Sequence, residues 1–205
     1  MLTCDTMKKL APFYIRSDDP PAKQEILRAA MKLFSERGFA GTSIRDIAQE
    51  SGYTNPALYK HFASKEELAL HLFDTCHRRL WAACNAAIAS AKGFDDKLGG
   101  YIGQWLALVD EHPEVMAFLS DSARVLWPKA SPAVRRQTMI GLARSLMIKA
   151  PQLRRETPAV NPDVAAASLQ GTLGELTRML QVGVVRGPAV RWKGEVVTLL
   201  LRLVG

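Results

Sequence analysis

Asn55, Tyr59, Lys60 and His61 bring an amide, a phenol, an ammonium and an imidazole together in the run GYTNPALYKHF, residues 52–62. Only Leu58 and Phe62 in this run are large apolar anchors. They stand four residues apart and, at about 100° per residue, share one stripe of a helix. Pro56, Ala57, Tyr59 and Lys60 then face outward, with Asn55 and His61 at the flanks. A side face of small, amide, phenolic and cationic groups suits the major groove of DNA. There Asn pairs with adenine, Ala touches a thymine methyl, and Lys reaches guanine or phosphate. Burial of Tyr59 as a packing staple and an ordinary surface role for His61 are the competing readings of the same residues.

No catalytic set accompanies them. The chain lacks H-E-x-x-H, G-x-S-x-G, a phosphate-binding G-x-x-x-x-G-K-[ST] loop and the Glu-x-x-His pairs of a di-iron bundle. His71, His77 and His112 have no carboxylate or thiol constellation, and His77 with Cys84 is too sparse for a metal. Neither an enzyme nor a cofactor or metal protein is expected.

The elements that position the outward face are helical. Ile26, Ala30, Leu33 and Phe34 fall on one face of a helix over residues 21–37, which Gly38 ends. Ser43 with Asp46 forms a capping box for a short second helix through Ser51, closed by Gly52. Thr54 caps a third helix over 55–62, with Pro56 in its first turn, where a missing N–H costs nothing. Ser64 and Glu67 are a capping box for a fourth helix from 65 to about 91. Two short helices joined by the glycine-containing turn SGYT have the spacing of a helix-turn-helix.

The whole run from ILRAAMKLFSERGFAGTSIRDIA through LYKHF and SKEEL, residues 26–74, resembles the N-terminal DNA-binding domain of the TetR family of transcriptional regulators. It covers about a quarter of the chain. The resemblance implies base or phosphate contacts for Arg45, base-edge contacts for Asn55, Pro56 and Ala57, and phosphate contacts for Tyr59 and His61. It also implies base or backbone contact for Lys60, and phosphate contact for Lys65 and for Thr42 or Ser43, with Thr54 in the same surface. Pro56 stands where that family often has glycine, which bears on sequence preference. Arg45 has an alternative as an ion-pair partner of Glu50.

Further helices are expected over 95–111, 113–126, 132–149, 162–185 and 188–203, with prolines at five of the expected helix starts along the chain. The fold class is therefore all-α. A flexible arm over 1–20 precedes a helix-turn-helix domain over 21–64 and a helical effector-binding and dimerisation domain over 65–205. By resemblance, that second domain holds a small effector and pairs through its last two helices. The small residues Ala165, Ala166, Ala167, Gly171 and Gly174, beside Leu169, Leu173, Leu176 and Leu180, suit close helix approach. A monomer core is the other use of such residues. Trp81, Cys84, Tyr101, Trp105, Met116, Phe118, Trp127 and Met139 are the candidates for a pocket lining. The basic residues Arg135, Arg136, Arg144, Lys149, Arg154 and Arg155 point either to an acidic effector or to a solvated face.

The composition agrees with this frame without deciding it. The 205 residues carry a formal charge of +7, only a minor share of it in the first 79. Bulk basicity therefore does not itself mark a nucleic-acid binder. Three cysteines without a C-x-x-C pair read as reduced structural thiols. Neither a signal-peptide core nor a run near the roughly 18 apolar residues of a membrane span is present, so a cytoplasmic protein is expected. The expected function is a homodimeric repressor on a palindromic operator, released by a small molecule. An architectural DNA-binding protein without a ligand is the alternative.

Overall fold

Pro21 starts the first helix of the computed structural model, which describes residues 12–154 and 160–204. Among the described residues, ten α-helices and two one-turn 3-10 helices make up the regular structure, with no strand. The first three are α1 (Pro21–Arg37), α2 (Ile44–Ser51) and α3 (Asn55–Tyr59). They precede the long α4 (Lys65–Ser90), then α5 (Phe94–Glu111) and α6 (Pro113–Leu126). A 3-10 turn (Trp127–Lys129) leads into α7 (Pro132–Arg136) and α8 (Met139–Arg154). The chain ends in α9 (Pro162–Gln181), a second 3-10 turn (Ala189–Trp192) and α10 (Lys193–Val204).

Prolines at N1 or N2 fix the starts of α1, α6 and α9, where their fixed φ and missing N–H both suit a first turn. Gly38 has φ 73° and ψ 166°, a region essentially confined to glycine, so α1 stops there, though not by the left-handed cap its position suggests. Gly52, at φ 75° and ψ 13°, is a left-handed cap that reverses the chain between α2 and α3.

The expected helix over 132–149 is two helices. Gln137 leaves helical geometry, and the Thr138 hydroxyl accepts from the Gly141 amide at 2.8 Å, opening α8 afresh. A side-chain oxygen that satisfies a free N–H is a helix start, and T-x-x-G without a proline is easily passed over. Beyond Lys149 the helix continues through Arg154 into what reads as a proline-rich connector. Arg155 and Cys4 lie outside the described residues.

The expected arm over 1–20 is also revised where the chain is described. Tyr14 and Ile15 are buried. Arg79 of α4 donates to the carbonyls of Phe13 at 2.6 Å and Ile15 at 3.1 Å. Asp19 accepts from the Arg16 amide at 2.9 Å and pairs with Lys23 at 2.7 Å. The buried Tyr14 and Ile15 side chains and the Arg79 guanidinium therefore strap residues 12–19 across α1 and α4. The remainder of the arm, with Lys8 and Lys9, lies outside the described residues.

The three N-terminal helices are not hinged loosely to the rest. Phe34 of α1 and Phe118 of α6 stack with centroids 5.6 Å apart, and Phe118 meets Phe73 of α4 edge-on at 6.4 Å. All three rings are buried. At the other end, Asp110 of α5 accepts from the amides of Ala189 at 2.6 Å and Val190 at 3.0 Å, pinning the approach to α10.

Candidate nucleic-acid interface and bundle cavity

The helix-turn-helix is built from its caps. Ser43 accepts from the Asp46 amide at 3.2 Å while the Asp46 carboxylate accepts from the Ser43 amide at 2.8 Å, so two otherwise free donors are satisfied reciprocally. The Ser43 hydroxyl, donating to the same carboxylate at 2.6 Å, and then the Ser43 amide hold the Asp46 carboxyl below the usual carboxylate range. At the start of α4, Ser64 accepts from the Glu67 amide at 3.0 Å, but Glu67 reaches back to the Ala63 amide at 2.6 Å rather than to Ser64. Thr54 precedes α3 without a side-chain cap bond.

Leu58 and Phe62 are the buried anchors, at 1% and 4% exposure. Regular α3 ends at Tyr59, short of the expected 62. Residues 60–62 continue as a turn in which the His61 and Phe62 amides donate to Leu58 O at 2.9 and 3.0 Å. Thr54, Asn55, Pro56, Tyr59 and Lys60 are exposed, with Tyr59 at 53%, while Ala57 and His61 are half-buried. Exposure of Tyr59 excludes the staple reading. Ser43 and Arg45 are exposed on the neighbouring α2 end. Glu50 pairs with Lys32 at 2.6 Å, so it does not take up Arg45.

Two residues named in sequence do not join this surface. Thr42 is 2% exposed, and its hydroxyl is bonded to Leu33 O at 3.2 Å and Gly38 O at 3.0 Å. Lys65 is half-buried, its Nζ donating to Thr42 O at 2.7 Å and Phe39 O at 2.8 Å and lying 4.3 Å from the Phe39 ring centroid. Its charge ties the α1–α2 loop to α4. Spacing places both residues near the interface, but only packing shows that their polar atoms are already used.

Within the bundle, α4, α6 and α9 surround a cavity of about 240 Å³. Trp105, Met116, Trp127 and Met139, four of the candidates for a pocket lining, line it. Trp81 and Cys84 do not, and nor does Phe118, whose ring is spent in the stack with Phe34. Tyr101 is also outside the lining, but its hydroxyl accepts from Gln170, which is in it. The other lining residues are Phe73, His77 and Leu80 from α4, Leu119, Ser120 and Ala123 from α6, and Gln170, Gly174 and Thr177 from α9. Those on α4 and α9 repeat at i, i+4 and i+7, a stripe readable in sequence where polar groups interrupt an apolar face.

Polar groups in the cavity are few. Trp105 Nε1 donates to Thr177 Oγ1 at 3.1 Å, and Thr177 donates onward to Leu173 O at 2.7 Å. His77 is buried between Phe73 and Trp127, with ring centroids 6.1 and 5.3 Å away, and its Nδ1 has no partner. Burial lowers its pKa, against the opposing charge of Asp74. Desolvation pushes the Cys84 thiol up to about 12, which keeps it an inert thiol. Among the described residues no group of His, Cys, Asp or Glu is arranged to hold a metal, and no helix is long and apolar enough to cross a membrane. Arg135, Arg136 and Arg144 are exposed and do not line the cavity.

A short tether joins the cavity to the head of α4. Trp127 and Lys129 share one 3-10 turn, and Lys129 pairs with Glu66 at 2.7 Å. Just beyond, the Ser131 amide donates to Asp74 at 3.2 Å.

Residues 26–72 match the family model described as bacterial regulatory proteins, tetR family. The chain is 31% identical over 102 residues to the HTH-type transcriptional repressor KstR2 of Mycobacterium tuberculosis, covering 49% of this chain and 51% of that protein. It thus spans about half the length of the curated relatives it matches. The solved ketosteroid transcriptional regulator KstR2 of Mycobacterium tuberculosis superposes with a TM-score of 0.76 at 21% identity, over 89% of this chain and 94% of that one. The transcriptional regulator FadR of Bacillus subtilis, solved in complex with stearoyl-CoA, gives 0.69 at 16%, over 88% and 98%. At such identities the structures show a shared fold.

Proposed function

We propose, for a chain that belongs to the TetR family of bacterial regulatory proteins, a homodimeric repressor that leaves its operator when a small molecule occupies the bundle cavity. Residues 21–64 read DNA, and residues 65–205 hold the effector and dimerise. The protein works in the cytoplasm, as regulation of transcription requires, and performs no catalysis. The matched relatives are regulators of transcription, the KstR2 proteins among them repressors.

The observation that carries this reading is the cavity with its tether. An architectural DNA-binding protein needs the outward face of α3, but it has no use for a hollow linked to the head of α4. Occupancy of the cavity displaces Trp127. The turn that carries Trp127 also carries Lys129, so Glu66 and the start of α4 follow. Lys65 then passes the shift to the α1–α2 loop. The effector must favour the DNA-incompetent arrangement, and the coupling is reciprocal.

Dimerisation is supported by what α9 and α10 leave uncovered. Val164, Ala167, Gly171 and Gly174 on α9 and Leu199 on α10 are exposed, and an added Cβ at either glycine meets nothing within 4 Å. A second copy is the fitting occupant, because a palindrome needs two recognition helices roughly 34 Å apart.

The test is selection of bound fragments from genomic DNA, then a compound screen for release. A palindromic site bound by a dimer and freed by a ligand supports the reading. Sequence-independent binding with no releasing ligand favours the architectural alternative.

A further inference from the structure

We infer that the cavity takes a compact, uncharged, ring-containing molecule bearing one neutral oxygen, and that His77 is the residue that recognises that oxygen. This rests on the cavity being the effector site, and it specifies the chemistry of that site.

Three observations converge. No Asp, Glu, Lys or Arg lines the cavity, so an ionic ligand group buried there is left unpaired. Arg135, Arg136, Arg144 and Lys149, which suggest an acidic effector, are exposed instead. The walls are broad and flat or soft, with Phe73, Trp105 and Trp127 presenting rings and Met116 and Met139 adaptable thioethers. About 240 Å³ is also small, below the ~300–1,000 Å³ of drug-sized sites. A few fused rings fit such a space; a nucleotide-bearing conjugate does not.

The third observation is the uneven satisfaction of the polar atoms. Trp105 and Thr177 satisfy one another, and the Gln170 amide nitrogen is given to Tyr101. His77 alone combines a cavity wall position, 7% exposure and a ring nitrogen without a partner. A buried polar atom left unpaired is costly, and native proteins keep few of them. Phe73 and Trp127 hold the imidazole in place. A neutral imidazole offers one donor and one acceptor, so it suits a hydroxyl or carbonyl. The same ring that meets the oxygen contacts Trp127, the wall residue carried on the tether turn.

Tryptophan fluorescence of the full chain at pH 7.5, titrated with naphthalene, 1-naphthol and 1-naphthoate, tests the inference. These share one hydrocarbon and differ in having no oxygen, a neutral oxygen or an anion. The expected order is 1-naphthol tightest, naphthalene about tenfold weaker for want of one buried hydrogen bond, and 1-naphthoate weakest. His77→Phe keeps the ring volume and should bring 1-naphthol to the affinity of naphthalene. His77→Gln, which retains a donor and an acceptor, should keep most of the preference. The ratio of the two affinities within each variant cancels any general change in the pocket. Tightest binding of 1-naphthoate, or an undiminished 1-naphthol preference in His77→Phe, overturns the inference and leaves the effector site standing. No response to any probe, or responses unchanged in the cavity-filling Met139→Trp, removes the effector-site reading itself.

Discussion

Lys65 Nζ lies 2.7 Å from the carbonyl oxygen of Thr42, so the first residue of α4 is fastened to the loop that opens α2. A second bond to Phe39 O and the ring beneath leave little of that charge for a phosphate. Lys65 is therefore a positioning cation. Lys65→Met should lower stability by about 2 kcal/mol through loss of charge-assisted bonds. It should weaken operator binding without changing the slope of log affinity against log salt. Lys60→Ala should do the reverse, leaving the melting temperature in place and reducing that slope by about one. Calorimetry and salt titrations of DNA binding on the two variants separate the roles.

Tyr59 is 53% exposed on the outer face of α3 and is not among the buried core residues. Its replacement by alanine should change folding stability by no more than about 0.5 kcal/mol, as for surface sites generally. Operator affinity should nevertheless fall about tenfold, the cost of a buried phosphate contact. Loss of stability without loss of affinity in a fluorescence binding assay would show that the ring packs rather than binds.

These contrasts mark what was legible in the sequence. The bounds of α1 and α6 follow from prolines in their first turns, because proline constrains its own φ and asks for no acceptor. Gly52, Leu58 and Phe62 announce the helix-turn-helix through spacing alone. The fate of a polar side chain is different, since Thr42 and Lys65 are consumed by carbonyls nine and twenty-three residues away. No local pattern contains that. The cavity is intermediate. Large aromatic and Met residues suggest Trp105, Met116, Trp127 and Met139, but Thr177 lines it because α9 turns that side chain inward. Residues 12–19 read as unpatterned because their order comes from Arg79, far along the chain.

Phe118 is the joint between the DNA-reading helices and the bundle, touching Phe34 on one side and Phe73 on the other. Phe118→Ala should cost about 3–5 kcal/mol, as for other buried phenylalanines. Phe118→Leu should cost less than half of that. Urea unfolding measures both, and a small effect for alanine would mean that the two parts of the chain unfold independently.

The Lys129–Glu66 pair is half-exposed, and such pairs contribute at most about 1 kcal/mol. That limit makes the tether hypothesis quantitative. Lys129→Ala should leave ligand affinity for the free protein nearly unchanged. The factor by which ligand weakens operator binding should shrink by up to about fivefold. Operator titrations with and without the releasing compound measure that factor, and an unchanged value would place the coupling elsewhere.

Acid sensitivity should arise first from His71 and His77. Burial lowers the pKa of both below the ordinary 6.5, with Lys23 adding to the effect at His71 and Asp74 opposing it at His77. Asp19 also faces His71 and favours its protonation, while Arg16 and Arg78 disfavour it. Above about pH 7.5 both rings are neutral in the folded and unfolded chain, so stability is flat there. As pH falls below 6.5 the unfolded chain takes up protons that the folded chain refuses, and stability declines by up to about 1.4 kcal/mol per pH unit for each ring. The decline stops contributing once the folded pKa values are passed. Asp19 acts in a lower window. Burial opposes its ionisation, but Lys23 and the Arg16 amide outweigh that and hold its pKa below 3.8, so its contribution is lost only in stronger acid. Urea midpoints should therefore hold above about pH 7.5, begin to fall near pH 7 and fall further towards pH 5. His77→Phe should flatten that fall by about half, and a midpoint that rises on acidification would contradict the neutral, buried state of both imidazoles.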